Sequence, residues 1–128
     1  MAKIGVIGEC MVELYQDQKS LYKQTFGGDT FNCSVYLKRT FKKAEVEYIT
    51  VLGKDALSKK MLNFFHDENL KTSYVDCLED KNPGLYIINT KNGERSFSYW
   101  RGEAAARELF LTSSLDKMSE DLLNFDMI

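Results

Sequence analysis

Residues 26–32 read FGGDTFN and separate two different backbone patterns. Residues 22–26 read as a strand, whereas residues 31–41 carry apolar side chains at helical spacing. The two glycines break the strand, and the side chains of Asp29 and Thr30 supply the acceptors that cap helices. We therefore predict a strand, a glycine turn and a helix in immediate succession.

The segments on either side continue this alternation of strands and helices. Towards the N-terminus, residues 4–8 form a short apolar run typical of a buried parallel strand, and residues 11–15 read as a second strand. Towards the C-terminus, residues 46–52 are rich in β-branched and aromatic side chains, and residues 56–70 have apolar side chains near helical spacing. Strands and helices in this order predict an α/β fold.

A β-hairpin is predicted next, from residues 85–90 and 95–101 with Asn92-Gly93 between them. Asn-Gly is the strongest short-range hairpin signal, because both central residues of a type I′ turn need a positive φ. An antiparallel hairpin after a series of strands and helices indicates a flap or lid on the main sheet. Residues 103–110 then return to a helical pattern.

The turn determines which side chains share one face of this hairpin. With a two-residue turn, Tyr86 lies opposite Tyr99, and Arg101 falls opposite Gly84, which leaves space beside the guanidinium. Two phenol hydroxyls and a guanidinium on an apolar surface suit a small polyhydroxylated anion, since the arginine fork matches a carboxylate or a phosphate. Alternatively, the aromatic rings only pack together and Arg101 is an exposed edge residue. A turn one residue longer or shorter would separate the tyrosines.

Two further groups of residues are candidates for binding. Gly27 and Gly28 permit a close approach between backbone and ligand, and Asn32 adds an amide one turn into the helix. Glu9 and Glu13 flank the end of the first strand, where α/β sheets tend to place their ligands. A carboxylate there can accept hydrogen bonds from sugar hydroxyls, although for Glu9 we expect a solvated loop acid.

The composition excludes several classes of protein. The 128 residues are 44% hydrophobic and 28% charged, with a formal net charge of −2, which is ordinary globular material and argues against a nucleic-acid partner. No apolar run approaches the roughly 20 residues that a membrane-spanning helix needs. Three separated cysteines and one histidine argue against a metal site or a disulfide framework and favour the cytoplasm.

The last residues of the chain, 122–128, form a largely apolar run without a turn or a polar tail. Because domains usually end in exposed residues, we expect the chain to stop inside a strand of its sheet, truncated at the C-terminus.

Several segments in this order and spacing resemble one family, the ribokinase-like (PfkB) carbohydrate kinases, and within it the 2-keto-3-deoxygluconate kinases. The resemblance covers Lys3 to Ile128. The segments that carry it are GECMVEL at 8–14, FGGDTFN at 26–32, PGLY at 83–86, GERSFSYWR at 93–101 and EAAA at 103–106. One departure is Thr30, where the broader family prefers glycine, alanine or proline.

The resemblance implies an architecture and a set of binding residues. Residues 1–128 would be the N-terminal portion of a doubly wound α/β sheet with a β-hairpin lid, the lid segments lying at about 11–27 and 84–101. The lid closes over the sugar and often pairs with a second subunit, so a homo-oligomer is expected. The implied substrate-binding residues are Glu13, Gly27, Gly28, Asn32, Tyr86, Tyr99 and Arg101, of which Arg101 suits the carboxylate of a sugar acid.

The implied reaction is phosphoryl transfer from ATP, with Mg²⁺, to the terminal hydroxyl of 2-keto-3-deoxygluconate. The catalytic aspartate of the family belongs to a Gly-Ala-Gly-Asp motif, which does not occur in this sequence. We therefore expect no catalytic residue in the chain, little of the nucleotide site, and no activity of the chain alone. Two alternatives remain: a non-catalytic sugar-acid binding or dimerisation module, and a related kinase such as a fructokinase.

Overall fold

The computed structural model describes the backbone of residues 1–128 and the side chains of residues 1–112 and 116–128. The strands are β1 (Lys3–Ile7), β2 (Met11–Gln18), β3 (Leu21–Gly27), β4 (Glu45–Gly53), β5 (Val75–Leu78), β6 (Leu85–Lys91) and β7 (Glu94–Trp100). The α-helices are α1 (Asp29–Thr40), α2 (Ala56–Asp67) and α3 (Ser113–Asp121), and short 3₁₀ helices cover Ala105–Leu111 and Leu122–Asn124.

A parallel sheet with the strand order β1-β4-β5 forms the centre of the molecule. β1 pairs with β4 from Lys3 opposite Glu45 onwards, and β4 pairs with β5 from Thr50 opposite Val75 onwards. Residues 46–53 of β4 are all buried, as the central strand of a parallel sheet requires. The predicted α/β fold is thereby confirmed.

Different layers cover the two faces of β4. Tyr48 and Leu52 pack with the buried faces of α1 and α2 in the main core. Ile49, which points the other way, packs with Tyr74 and with Met118 of α3. Helical layers on both faces of a parallel sheet are the doubly wound arrangement that the resemblance implies.

The other four strands form a second sheet, called the mixed sheet, with the order β3-β2-β6-β7. β2 and β6 run parallel, whereas β2 pairs with β3 and β6 with β7 in antiparallel fashion. The hairpin of β6 and β7 has the predicted register, with Tyr86 opposite Tyr99. Its turn is the predicted Asn92-Gly93 pair, with φ values of 52° and 77°. Positive φ at both residues is what a type I′ turn needs.

The predicted capping of α1 by Asp29 and Thr30 is wrong. The helix begins at Asp29 itself, with Gly28 as its N-cap and no side-chain capping bond. Both residues therefore lie inside the first turn, where they cannot act as the cap. The hydroxyl of Thr30 instead lies 3.1 Å from the Tyr48 hydroxyl, in hydrogen-bond contact.

Two helix boundaries also differ from the prediction. α2 ends at Asp67 rather than at residue 70, because Asn69 adopts a left-handed φ of 58° and the Leu70 amide bonds to the Phe65 carbonyl, which terminates the helix. Residues 103–110 do not form an α-helix. Ala104 is held extended by a bridge to Asn82, so only a 3₁₀ helix follows.

The last residues of the chain lie beside β1. The Asp126 amide donates to the Lys3 carbonyl, and the Gly5 amide donates to the Met127 carbonyl, both at 2.8 Å. This pairing is an isolated parallel bridge between Ile4 and Met127. As far as the structure describes the helices, none of them has the length and apolar character to cross a membrane.

Candidate functional site

A cavity of about 400 Å³ opens between the mixed sheet and the start of α1. Three parts of the chain form its wall: the loop after β1, the N-terminus of α1, and one face of the β6–β7 hairpin. Its size lies within the usual range of small-molecule sites. The lining residues are Glu9, Met11, Gly28, Asp29, Thr30, Asn32, Tyr86, Phe97, Tyr99 and Arg101.

The hairpin contributes an aromatic surface to this wall. The ring centroids of Tyr86 and Tyr99 are 5.9 Å apart, and those of Tyr86 and Phe97 are 6.2 Å apart. The rings of Phe97 and Tyr99 are stacked, with 21° between their planes. Tyr86 is buried, whereas about half of Phe97 and Tyr99 is exposed towards the opening. The prediction that the two tyrosines share one face is confirmed.

Tyr86 is anchored by two of the sequence-predicted residues. Its hydroxyl donates a 2.6 Å hydrogen bond to Glu13 Oε1. Burial, and then the Glu13 carboxylate, raise the pKa of Tyr86, so the phenol stays protonated and remains a donor. Gly27 contacts the same hydroxyl, and a Cβ at that position would overlap it. Glu13 and Gly27 thus lie behind Tyr86 and are not part of the cavity wall.

The start of α1 forms the opposite side of the cavity. Gly28 has a φ of 138°, and a Cβ there would lie 2.7 Å from the Glu9 carbonyl oxygen, so both the conformation and the space require glycine. Asn32 follows within the first turns of the helix, with its side chain exposed. The structure therefore brings Gly28, Asn32, Tyr86, Tyr99 and Arg101 together around one space.

The expectation that Glu9 is a solvated loop acid is wrong. Its side chain is 13% exposed and forms an ion pair with the Arg101 guanidinium. The predicted open space beside Arg101 is also filled, because the Glu9 carboxylate lies where Gly84 lacks a side chain. The pair joins residues 92 positions apart, so no local pattern could reveal it. In the sequence, only the missing side chain of Gly84 pointed indirectly to this pair, because it leaves the space that the Glu9 carboxylate fills.

The thiol next to Glu9 is not a reactive group. Burial, and then the Glu9 charge, raise the pKa of Cys10 well above its usual value, which keeps the thiol protonated. Among the side chains that the structure describes, no group of three or more His, Cys, Asp or Glu residues could hold a metal ion. The cavity is thus suited to hold a polar ligand by hydrogen bonds, ring contacts and one cation.

Comparison with known proteins identifies relatives over almost the whole chain. The 2-dehydro-3-deoxygluconokinase of Escherichia coli (strain K12) is 46% identical over 129 aligned positions, which cover 98% of this chain and 41% of the relative. The enzyme of the same name from Dickeya dadantii is 44% identical, with 98% and 41% covered. The chain therefore spans about two fifths of the length of these relatives.

Solved structures share the fold. The 2-dehydro-3-deoxygluconokinase of Thermotoga maritima superposes with a TM-score of 0.76 at 20% identity, over 84% of this chain and 35% of that chain. A fructokinase from Xylella fastidiosa with bound ATP gives 0.73 at 25% identity, over 81% and 32%. A profile of pfkB family carbohydrate kinases matches residues 1–124. With its doubly wound sheet, its mixed sheet and this match, the chain belongs to the pfkB family of carbohydrate kinases.

Proposed function

We propose that the chain forms the sugar-binding part of an ATP-dependent kinase for 2-keto-3-deoxygluconate. The observation that carries this proposal is Arg101, the one cation among the described side chains of the cavity wall. A guanidinium fork matches a carboxylate, which a neutral sugar lacks. Relatives at 40–46% identity are named 2-dehydro-3-deoxygluconokinase, after the same keto acid, and this supports the substrate class.

Each part of the wall has a role in this proposal. Arg101 binds the carboxylate of the sugar acid, while the rings of Phe97 and Tyr99 cover the carbon chain. The amide of Asn32 binds hydroxyl groups, and Gly28 allows the ligand to approach the backbone.

Glu13 and Gly27 act through Tyr86 in this proposal. Because the phenol proton of Tyr86 is directed to Glu13, the phenol oxygen is left free to accept a hydrogen bond from a sugar hydroxyl. Gly27 leaves the room that this hydroxyl needs. Glu13 thus orients the Tyr86 phenol oxygen as an acceptor for a hydroxyl group of the sugar, so this acidic residue favours a hydroxylated ligand without touching it.

ATP is the phosphoryl donor in this proposal, and Mg²⁺ is the ion that neutralises its phosphates. The described side chains do not fit a magnesium site, since no three potential ligands gather among them. We therefore derive no phosphoryl-transfer step from these residues and assign no catalytic base to them. What the chain supplies is the binding and orientation of the sugar.

We also propose that the mixed sheet, with residues 11–27 and 84–101, is the lid of the site and a dimerisation surface. Leu21, Tyr22 and Trp100 are large apolar side chains that this sheet exposes, by 64%, 49% and 59%. Light scattering of the chain and of its Leu21→Asp variant measures the oligomeric state.

We also propose that the protein lies in the cytoplasm, because all three cysteines are free, as is usual in a reducing compartment.

A non-catalytic sugar-acid binding module is the second candidate. It is favoured by the fact that residues of this chain alone line the cavity, Arg101 among them. The two candidates share the same cavity and the same ligand, and they differ only in whether phosphoryl transfer follows binding.

Calorimetric titration of the chain with 2-keto-3-deoxygluconate and with fructose tests the proposed substrate class. We expect the sugar acid to bind at least about tenfold more tightly, since only the acid can pair with Arg101 through its carboxylate. Equal binding of the two sugars, or tighter binding of fructose, contradicts the proposal and favours a kinase for neutral sugars.

A further inference from the structure

Arg101 needs an external partner to stay at the cavity. It follows the last residue of β7, and 52% of its side chain is exposed. A long arginine side chain in such a position has many rotamers open to it, including those directed into solvent. Its guanidinium is held at one nitrogen, Nη2, which donates to Glu9 Oε2.

Glu9 is the more firmly held member of this pair. Its carbonyl oxygen lies against Gly28, and the next residue, Cys10, is 2% exposed. Its carboxylate is largely buried, and Oε1 has no hydrogen-bond partner among the described residues. A buried carboxylate in this state depends on a nearby cation, so Arg101 compensates Glu9 while Glu9 restrains Arg101.

The charges of the wall make this restraint important for the ligand. The acidic and basic side chains of the wall are those of Glu9, Asp29 and Arg101. If Arg101 turned towards solvent, the two carboxylates would remain and would repel an anionic ligand. The cavity accepts an anion only while the guanidinium stays in place.

We propose that Glu9 is a positioning residue that holds Arg101 over the cavity and thereby sets the preference for acid over neutral sugars. One N–H of the guanidinium is used by Glu9, and the remaining N–H groups are available to the carboxylate of the ligand. This inference rests on the proposed function, because it concerns recognition of the sugar acid in the same cavity.

Gly84 provides independent support for this role. A Cβ at position 84 would overlap Glu9 Oε1 and would lie 3.2 Å from Arg101 Cβ. The glycine therefore makes the room in which the Glu9 carboxylate reaches Arg101. Gly84→Ala should displace that carboxylate and reproduce the effect of removing it.

Binding to the chain distinguishes positioning from a general structural role. We expect Glu9→Ala to weaken binding of 2-keto-3-deoxygluconate by about 3- to 10-fold, the cost of ordering one freed side chain, and to leave fructose binding unchanged. Glu9→Gln should retain the affinity for the acid, since its amide oxygen still accepts from Arg101. Glu120→Ala, which removes an exposed glutamate of α3, is the matched control.

A double-mutant comparison tests whether Glu9 acts through Arg101. In an Arg101→Ala background, Glu9→Ala should not weaken binding of the acid any further. Equal losses in both backgrounds, or an equal loss for fructose, would overturn the proposal.

A measurement without ligand separates this inference from the proposed function. In ¹H–¹⁵N NMR spectra, the Nε–H signal of Arg101 should indicate an ordered side chain in the wild type and in Glu9→Gln, and an averaged one in Glu9→Ala and Gly84→Ala. Equal order in the wild type and Glu9→Ala overturns the positioning role, whichever sugar binds. If order depends on Glu9 but the wild type binds no sugar acid, the positioning is supported and the proposed function alone fails.

Discussion

In the proposed function, Arg101 is the residue on which recognition of an acidic sugar depends. Its guanidinium lies at the mouth of an aromatic cavity, paired with Glu9. Hydrogen bonds between groups of opposite charge are stronger than those between neutral groups, because the opposite charges attract each other. In the proposed function, one side chain thus sets the choice between an acidic and a neutral ligand.

We expect Arg101→Ala to weaken binding of 2-keto-3-deoxygluconate by about 10- to 100-fold, because a charge-assisted pair is lost. Binding of fructose should be unchanged. Titration calorimetry of both sugars provides the measurement, and Arg107→Ala, at an exposed arginine outside the cavity wall, is the control. If the variant keeps the wild-type preference for the acid, the assignment of the carboxylate to Arg101 is wrong.

The hydroxyl of Tyr86 should contribute to the stability of the chain, whereas the hydroxyl of Tyr99, opposite it on the hairpin, should not. Tyr86→Phe removes the donor to Glu13 and leaves a half-buried carboxylate without that bond, so the free energy of unfolding should fall by about 1–3 kcal/mol. Tyr99→Phe should leave stability unchanged, since no hydrogen bond of its hydroxyl is found among the described side chains and the ring is 52% exposed. Urea denaturation of the two variants decides, and equal losses would show that the bond to Glu13 contributes nothing measurable.

At the scale of elements, the β6–β7 hairpin contributes the aromatic face of the site. Its turn sets the register, and the register places Tyr86 and Tyr99 on one face. A slip by one residue would send these side chains to opposite faces and dismantle the aromatic wall. The conformation of the turn therefore has a direct effect on the cavity.

Gly93→Ala should destabilise the chain by about 1–2 kcal/mol, because the Cβ of alanine makes the left-handed φ of 77° sterically unfavourable. No atom lies within 4 Å of a Cβ at this position, so the cost comes from the backbone alone. Gly102→Ala is the matched control, since it has the same open space without a φ in the left-handed range. Chemical denaturation compares the two variants, and equal stability of both would argue against the type I′ turn.

At the scale of the molecule, the chain combines a candidate sugar cavity with a fold that it shares with solved kinase structures. It spans 41% of the Escherichia coli relative, and no three potential ligands for a metal gather among its described side chains. Binding and phosphoryl transfer are thus separate questions for this chain. An ATP-coupled assay answers the second.

We expect no ATP-dependent phosphorylation of 2-keto-3-deoxygluconate by the 128-residue chain. The physical reason is that the proposed sugar site lies in this chain, whereas no three potential metal ligands gather among the side chains that the structure describes. A chimera that joins the chain to the remainder of the Escherichia coli relative should regain turnover with the acid. Measurable turnover by the chain alone contradicts the expectation, and an inactive but folded chimera favours the binding module.

Local features of the fold could be predicted wherever a few neighbouring residues determine the backbone. Asn92-Gly93 predicted the turn, the pairing and the shared face of the tyrosines, and all three are confirmed. The helix predicted over residues 103–110 failed because a distant contact intervenes. Ala104 is held extended by its bridge to Asn82, which no helical pattern around residues 103–110 can indicate.

The candidate site was predicted in part, through the hairpin pairing and the family resemblance. The aromatic face of Tyr86 and Tyr99 follows from alternation along two strands. The bond of Tyr86 to Glu13 joins residues 73 positions apart, and no spacing rule connects them. Whether the residues named from the resemblance bind sugar stays a prediction.

By itself, the sequence determined six of the seven strands, the helices α1 and α2, the hairpin turn and the family, because periodicity, turn chemistry and motif order depend on short segments. Only the tertiary structure decided that Glu9 leaves solvent to pair with Arg101, and that Glu13 meets Tyr86 behind the wall. These contacts arise where the loop after β1, the strand β2 and the hairpin come together. Ion pairing and burial depend on that packing, so residues far apart in the chain acquire their roles only once it has formed.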